Sequence, residues 1–130
     1  MPQTQTRINK VANVVIPVAD QDGAIEFYVE KLGFEKRVDL PFGGAYRWVE
    51  VAPAGADTTI ALAPPPPDRP EAVGNRETGI TLQTDDIEAY HGELNGAGVD
   101  VDAEISRMGD PVPPMFWFRD PEGNSLLVVQ

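Results

Sequence analysis

The stretch that decides the fold is Met115-Phe116-Trp117-Phe118-Arg119-Asp120-Pro121-Glu122-Gly123-Asn124-Ser125-Leu126-Leu127-Val128-Val129. Pro121 presets φ, and the Gly123-Asn124 pair accepts positive φ, which is the chemistry of a tight turn. The residues on either side are aromatic, β-branched or aliphatic, as strands prefer. The sequence therefore predicts a closing β-hairpin.

The length and composition predict a single domain spanning residues 1–130, large enough to bury a hydrophobic core. No apolar run approaches the roughly 20 residues that span a bilayer. The first ten residues are polar and lack the apolar centre of a signal peptide. Cysteine is absent, which excludes disulfides and thiolate chemistry. We therefore expect a cytoplasmic protein.

The chain is strongly acidic, with a formal net charge of −11. Nucleic acids and anionic membranes are bound through Lys and Arg, so this balance argues against both as partners. A well-solvated surface explains the acidity without any special partner.

The first half of the chain has the pattern β-α-β-β-β. Residues 11–18 form an apolar, β-branched run that predicts a buried strand, Asp20 is placed to cap a helix, and Gly33 is placed to end it. Further strands are predicted at residues 34–39, 46–51 and 58–63, with a loop at 41–44 and a loose leader at 1–8.

The second half repeats this order after a proline-rich linker at residues 64–77. A strand at 79–84 precedes a helix capped by Asp85 or Asp86, with Glu88 placed for a capping box behind Asp85. The helix ends at Gly98, and a strand at 99–105 leads to the closing hairpin. The sequence thus predicts two modules, at residues 9–63 and 78–130, related by an offset of about 65 residues.

Several of these segments resemble the glyoxalase/bleomycin resistance/dioxygenase superfamily, also called the vicinal oxygen chelate (VOC) superfamily. They are Val18-Ala19-Asp20, Phe27-Tyr28, Leu32-Gly33-Phe34 and Phe118-Arg119-Asp120-Pro121-Glu122-Gly123-Asn124. The resemblance implies an α+β fold in which two βαβββ modules form curved, incomplete barrel-like mixed sheets around a central pocket. It also implies a homodimer whose partners contribute to each pocket.

Metal-dependent enzymes of this superfamily take ligands from four positions, which map onto Asn13, Ala61, Gly79 and Leu127. The repeat supports the mapping, because Asn13 and Gly79 are 66 residues apart, as are Ala61 and Leu127. A catalytic divalent ion needs about three or four His or carboxylate donors. These positions offer one neutral amide, and His91, the single histidine, is predicted to be an ordinary surface residue. We therefore expect no metal, no cofactor, and no metal-dependent glyoxalase or dioxygenase activity.

Period-two alternation identifies the side chains that share a face with the mapped positions. The candidate ligand-binding residues are Asn13, Tyr46, Trp48, Glu50, Thr59, Met115 and Trp117. Further residues expected on the same faces are Val15, Thr81, Gln83, Ser125 and Val129. Aromatic side chains with scattered polar groups are typical of a small-molecule site, and two tryptophans suit a flat or cationic group.

Other interpretations of these residues remain open. Trp48 and Trp117 are as well suited to core packing or to a dimer interface. Asn13 on a buried strand is as well suited to a structural hydrogen bond. Glu50 is the one weak catalytic candidate, as a general base; it is also suited to pairing with a ligand's positive charge or to a solvated edge.

The preferred functional hypothesis is a metal-independent protein that binds a small aromatic or cationic compound. The alternative is a lyase, isomerase or dioxygenase-type enzyme of the same superfamily with a divergent site. A third hypothesis is an accessory module whose own side chains fill the pocket.

Overall fold

The computed structural model describes residues 6–41, 44 and 46–130. The predicted leader and the predicted loop at 41–44 therefore lie partly outside the described residues, at positions 1–5, 42 and 43. The elements in chain order are β1 (Asn13–Pro17), α1 (Gln21–Glu26), β2 (Glu35–Pro41), β3 (Arg47–Ala52), β4 (Thr59–Ala63), β5 (Glu77–Gln83), α2 (Ile87–Gly96), β6 (Asp100–Val101), β7 (Met115–Arg119) and β8 (Ser125–Val129). The α+β fold with two βαβββ modules is confirmed.

Each module forms its own four-stranded mixed sheet. The strand order is β1-β4-β3-β2 in the first sheet and β5-β8-β7-β6 in the second. In both sheets the first strand of the module runs parallel to the last, and the other pairs are antiparallel. Val15 lies opposite Ala61, and Thr81 lies opposite Leu127. The backbone registers of the two sheets are therefore related by the same 66-residue offset as the sequence positions, since 81 − 15 and 127 − 61 are both 66.

The first helix begins and ends where the sequence predicts. The Asp20 carboxylate accepts a hydrogen bond from the Gly23 amide at 3.0 Å, which caps α1. The helix continues as a π-helical turn over Phe27–Lys31 and stops before Gly33, whose φ is +84°. A β-carbon is disfavoured at this φ, so glycine ends the helix readily.

Two predictions for the second module are wrong in detail. Asp86 caps α2 by accepting from the Ala89 amide at 3.1 Å, so there is no Asp85–Glu88 capping box. The predicted strand at 99–105 is reduced to Asp100–Val101, followed by an isolated bridge between Ser106 and Met115. The strand is interrupted at Asp102, whose side-chain carboxylate accepts a hydrogen bond from the Trp117 N–H at 3.2 Å. In a regular strand a main-chain carbonyl would accept this hydrogen bond.

One hydrophobic cluster joins both modules. It contains the covered face of each sheet and the inner sides of the helices. Phe27, in the π-helical turn after α1, packs against Phe118 of β7 with 6.2 Å between ring centroids. The opposite face of each sheet is turned away from this cluster, because side chains alternate along a strand. Across residues 6–41 and 46–130, the structure contains no helix with the length and apolarity needed to cross a membrane.

The closing turn fastens the second module to the first. The buried Asp120 carboxylate accepts from the Tyr28 hydroxyl at 3.0 Å and from the Glu122 and Asn124 amides at 2.9 Å each. The Glu122 carboxylate accepts from the Ala19 and Asp20 amides at the start of the first module's helix. Burial, followed by the nearby Asp120 charge, raises the pKa of Tyr28, so its hydroxyl remains a donor. The turn is tight, as predicted, and it also bridges the modules.

Candidate functional site

The first open face is the side of the first sheet that points away from the hydrophobic cluster. Its side chains include Asn13, Val15, Leu40, Trp48, Glu50, Thr59 and Ala61. Val49 and Val51 are fully buried on the covered side, whereas Trp48 and Glu50 between them are partly exposed. The predicted alternation along β3 is therefore correct. Apolar side chains on this face reach solvent, with Val15 52% and Leu40 60% exposed.

Glu50 is held by two hydrogen bonds on this face. Its carboxylate accepts from the Thr59 hydroxyl on β4 and from the Trp48 indole N–H, each at 2.6 Å. These bonds, with that from Thr59 the stronger influence, hold the pKa of Glu50 below its ordinary value. In the described part of the chain, no lysine or arginine forms an ion pair with Glu50. Glu50 is therefore an ionised acceptor, and its low pKa makes it a poor general base.

Trp48 takes a defined orientation from this arrangement. Its N–H is directed at the carboxylate two residues further along the same strand, so the ring lies beside Glu50 on the open face. Leu40 of β2 is opposite Trp48 in the strand register and was not anticipated from the sequence. Alternation within one strand carries no information about its neighbour, so only the register reveals this apolar contact surface.

The other two first-module candidates occupy different places. Asn13 is half-buried at the start of β1, opposite Thr59, so it lies next to the Glu50 hydrogen bonds. Tyr46 precedes β3 and is 53% exposed, so the alternation within β3 does not extend to it. Tyr46 thus stands at the rim of the face.

The second open face belongs to the second sheet and includes Thr81, Gln83, Met115, Trp117, Ser125, Leu127 and Val129. Trp117 lies opposite Leu127, and Met115 opposite Val129. Phe116 and Phe118 are buried on the covered side, so the structure resolves the direction of the aromatic residues in β7, which alternation leaves undecided. The predicted residues thus divide between two faces on separate sheets.

The donor set at the four mapped metal positions does not suit a metal ion. Ala61 is fully buried opposite Glu50, and Leu127 is opposite Trp117. Gly79 has a φ of +73° and sits within a register shift of β5, so a residue with a side chain there would be strained. Within the described ranges, no three His, Cys, Asp or Glu side chains converge in a way that would hold a metal. Among the described residues, these four positions therefore lack a donor set suited to a divalent ion.

A cavity of about 410 Å³ connects the two modules next to the open faces. Thr59 lines it from the first module, and Gly79, Thr81 and Gln83 line it from the second, with apolar residues completing its walls. A larger cleft of about 520 Å³ lies between the π-helical turn that follows α1 and the closing turn, and none of the predicted binding residues lines it. Thr59 is the candidate binding residue that lines the smaller, more apolar cavity, whereas Trp48 and Glu50 lie outside its lining.

His91 is not the surface residue that the sequence predicts. Its Nε2 lies 2.7 Å from the carbonyl oxygen of Asp102, and its ring packs edge-on against Phe116 at 4.9 Å. The side chain is half-buried and ties α2 to the second sheet. The sequence correctly places His91 on the helix. It does not reveal that Phe116, from the distant strand β7, packs against the histidine ring.

The chain belongs to the Glyoxalase/Bleomycin resistance protein/Dioxygenase superfamily, whose sequence model it matches over residues 7–128. Among solved structures it is similar to TnmS3, an antibiotic binding protein from Streptomyces sp. CB03234, with 38% identity, coverage of 97% of this chain and 98% of TnmS3, and a TM-score of 0.80. A superfamily member from Sphaerobacter thermophilus DSM 20745 shares 37% identity over 94% of this chain and 97% of its own, with a TM-score of 0.85. The uncharacterized protein YetH of Bacillus subtilis (strain 168) is 30% identical over an alignment 128 residues long, which covers 93% of this chain and 98% of YetH.

Proposed function

We propose that this protein binds a small aromatic or cationic compound on its open faces and does so without a metal ion. The observation that carries the proposal is the fixed pair of Trp48 and Glu50 on a face that is otherwise largely apolar and partly exposed. Flat apolar surface with a few oriented polar groups is the usual composition of a ligand site. Similarity to TnmS3, an antibiotic binding protein, supports the same class of function.

Metal independence is part of the proposal and rests on the donor chemistry. Asn13, Ala61, Gly79 and Leu127 supply one amide oxygen among them, which is too weak a set for a divalent ion. Catalysis by Glu50 is disfavoured, because the Thr59 and Trp48 hydrogen bonds stabilise its charged form. Binding without turnover is therefore preferred over a lyase, isomerase or dioxygenase-type reaction.

A homodimer would complete the site. Each open face is turned away from the chain's own core, and Val15 and Leu40 leave exposed apolar surface on the first one. A second copy would cover this surface and bring Met115 and Trp117 of one chain towards Trp48 and Glu50 of the other. Exposed apolar faces of this kind commonly mark interfaces, and sedimentation equilibrium should give twice the monomer mass.

The function is tested by calorimetric titration of untagged protein with a panel of planar aromatic compounds, neutral and cationic, in the presence and absence of EDTA. We expect saturable binding at a fixed stoichiometry, unchanged by EDTA, with the compound recovered intact. A stoichiometric divalent ion in elemental analysis, or conversion of a compound to product, would instead support the enzyme hypothesis.

A further inference from the structure

We propose that the ligand carries a positively charged nitrogen attached to a flat ring system, and that Glu50 receives this nitrogen while Trp48 stacks with the ring. The inference rests on the proposed binding function and specifies the chemical class of its ligand. It follows from the state of the Glu50 carboxylate, the orientation of Trp48, and the contrast between the two open faces.

The negative charge of Glu50 is left uncompensated within the described part of the chain. Its two partners, the Thr59 hydroxyl and the Trp48 indole, are neutral donors. On the neighbouring strand β2, by contrast, the Asp39 carboxylate is paired with both Lys36 and Arg47. A carboxylate accepts about four hydrogen bonds, so each Glu50 oxygen retains a free acceptor position for a charged donor.

Trp48 is placed to assist a cation. Its N–H donates to the carboxylate at 2.6 Å, which fixes the ring beside the charge. Donation to an anion also shifts electron density towards the ring, and tryptophan is the side chain that attracts cations most strongly through its face. Leu40, opposite Trp48 and 60% exposed, adds apolar surface for the uncharged part of a ligand.

The second open face lacks such a charge at the corresponding place. Glu50 lies opposite Ala61 in the first sheet, whereas Trp117 lies opposite Leu127 in the second. Arg119, the nearest charged side chain along β7, is neutralised by Asp100 and Asp102 at 3.0 Å each. The second sheet therefore offers no carboxylate at the position that corresponds to Glu50. The net charge of −11 would further favour the approach of a cation.

The test uses three compounds that share a ring and differ in charge: 1-naphthylmethylammonium, 1-naphthalenemethanol and 1-naphthoate. Their dissociation constants are measured by calorimetry on the full-length protein at neutral pH and low salt. We expect the ammonium compound to bind at least ~10-fold more tightly than the alcohol, and the carboxylate most weakly. Equal affinities for the ammonium and the alcohol would overturn the inference while leaving the binding function intact.

Glu50→Gln locates the charge recognition. This substitution keeps the side-chain size and one oxygen acceptor, and it should reduce the ammonium preference to within about 2-fold. Glu104→Gln is the matched control, because it removes the same charge from an exposed loop and should leave the preference unchanged. A preference that survives Glu50→Gln, or falls equally in both variants, would contradict the role of Glu50.

Salt dependence tests the same idea on the unmodified protein, should Glu50→Gln fail to fold. Raising NaCl from 50 to 500 mM should weaken binding of the ammonium compound several-fold, because salt screens charge. Binding of the alcohol should be nearly unaffected. Parallel salt responses of the two compounds would argue against charge recognition. If none of the three compounds binds, the proposed function itself loses its support together with this inference.

Discussion

The turn between β3 and β4 and the turn between β7 and β8 occupy corresponding places in the two modules but differ in construction. The first lies at residues 53–57 and is largely exposed. It contains a main-chain hydrogen bond from the Ala56 N–H to the Pro53 carbonyl oxygen at 3.1 Å. The second buries Asp120 and Asn124 and bonds to the first module through Tyr28. One turn connects two strands, while the other holds the modules together.

The open faces differ in the same way. Corresponding positions carry the charged Glu50 in the first sheet and the apolar Trp117 in the second. The strand registers are shared, so the repeated backbone tolerates different side chains at matching points. The comparison indicates a division of roles: the second module supplies the contacts that hold the modules together, and the first supplies the charge that we propose for ligand recognition.

The largest effect should come from removing the buried carboxylate of the second turn. Asp120→Ala deprives the Tyr28 hydroxyl and the Glu122 and Asn124 amides of their acceptor, so we expect a loss of about 3 to 5 kcal/mol in the free energy of unfolding. Asp57→Ala in the exposed first turn should change it by less than about 0.5 kcal/mol. Urea unfolding measures both, and similar losses in the two variants would remove the distinction between the turns.

Neighbouring leucines of β8 test the assignment of faces. Leu126 is fully buried in the hydrophobic cluster, so Leu126→Ala should lower the free energy of unfolding by about 2 to 4 kcal/mol. Leu127 is only half-buried on the open face, and Leu127→Ala should cost about 1 kcal/mol or less in the monomer. Thermal unfolding of the two variants at equal concentration compares their losses of stability. A larger effect at Leu127 would indicate that the second open face is the more important packing surface.

The two tryptophans should respond differently to replacement by phenylalanine. Trp48→Phe removes the N–H donor to the Glu50 carboxylate, and we expect a loss of about 1 to 2 kcal/mol in unfolding free energy. Trp117→Phe keeps the main-chain bond from residue 117 to Asp102 and should cost about 0.5 to 1 kcal/mol. Denaturant titration followed by circular dichroism avoids reliance on tryptophan fluorescence. A Trp117 variant less stable than the Trp48 variant would contradict this account of the faces.

The smallest effect concerns the acid stability of the first open face. The hydrogen bonds from Thr59 and Trp48 lower the pKa of Glu50, so the folded state binds its proton more weakly than the unfolded state. The contribution of Glu50 to stability is therefore present above its ordinary value of 4.5 and is lost as the pH falls through the lower folded pKa. Glu50→Gln should flatten the slope of stability against pH below 4.5, with a residual slope from Asp39 and Asp100, whose pKa values are also lowered. An unchanged slope would show that Glu50 titrates as it does in the unfolded chain.

The faces on which the candidate binding residues lie could be predicted only where a strand follows local alternation. Trp48 and Glu50 are correctly placed because β3 has a clear period of two, and Met115 and Trp117 lie on the second open face. Tyr46 falls outside the strand, and Leu40 was missed because it belongs to a neighbouring strand. Which of these residues bind a ligand remains a prediction.

The sequence by itself determined the order of elements, the two-module repeat, the position of the first helix cap and the tight closing turn, because each depends on propensities within a few residues. The tertiary structure alone decided what Met115–Val129 does beyond forming a hairpin. Asp120 meets Tyr28 across 92 residues, and Phe116 meets His91. Such contacts depend on how sheets and helices pack, and local spacing in the chain carries no record of that packing.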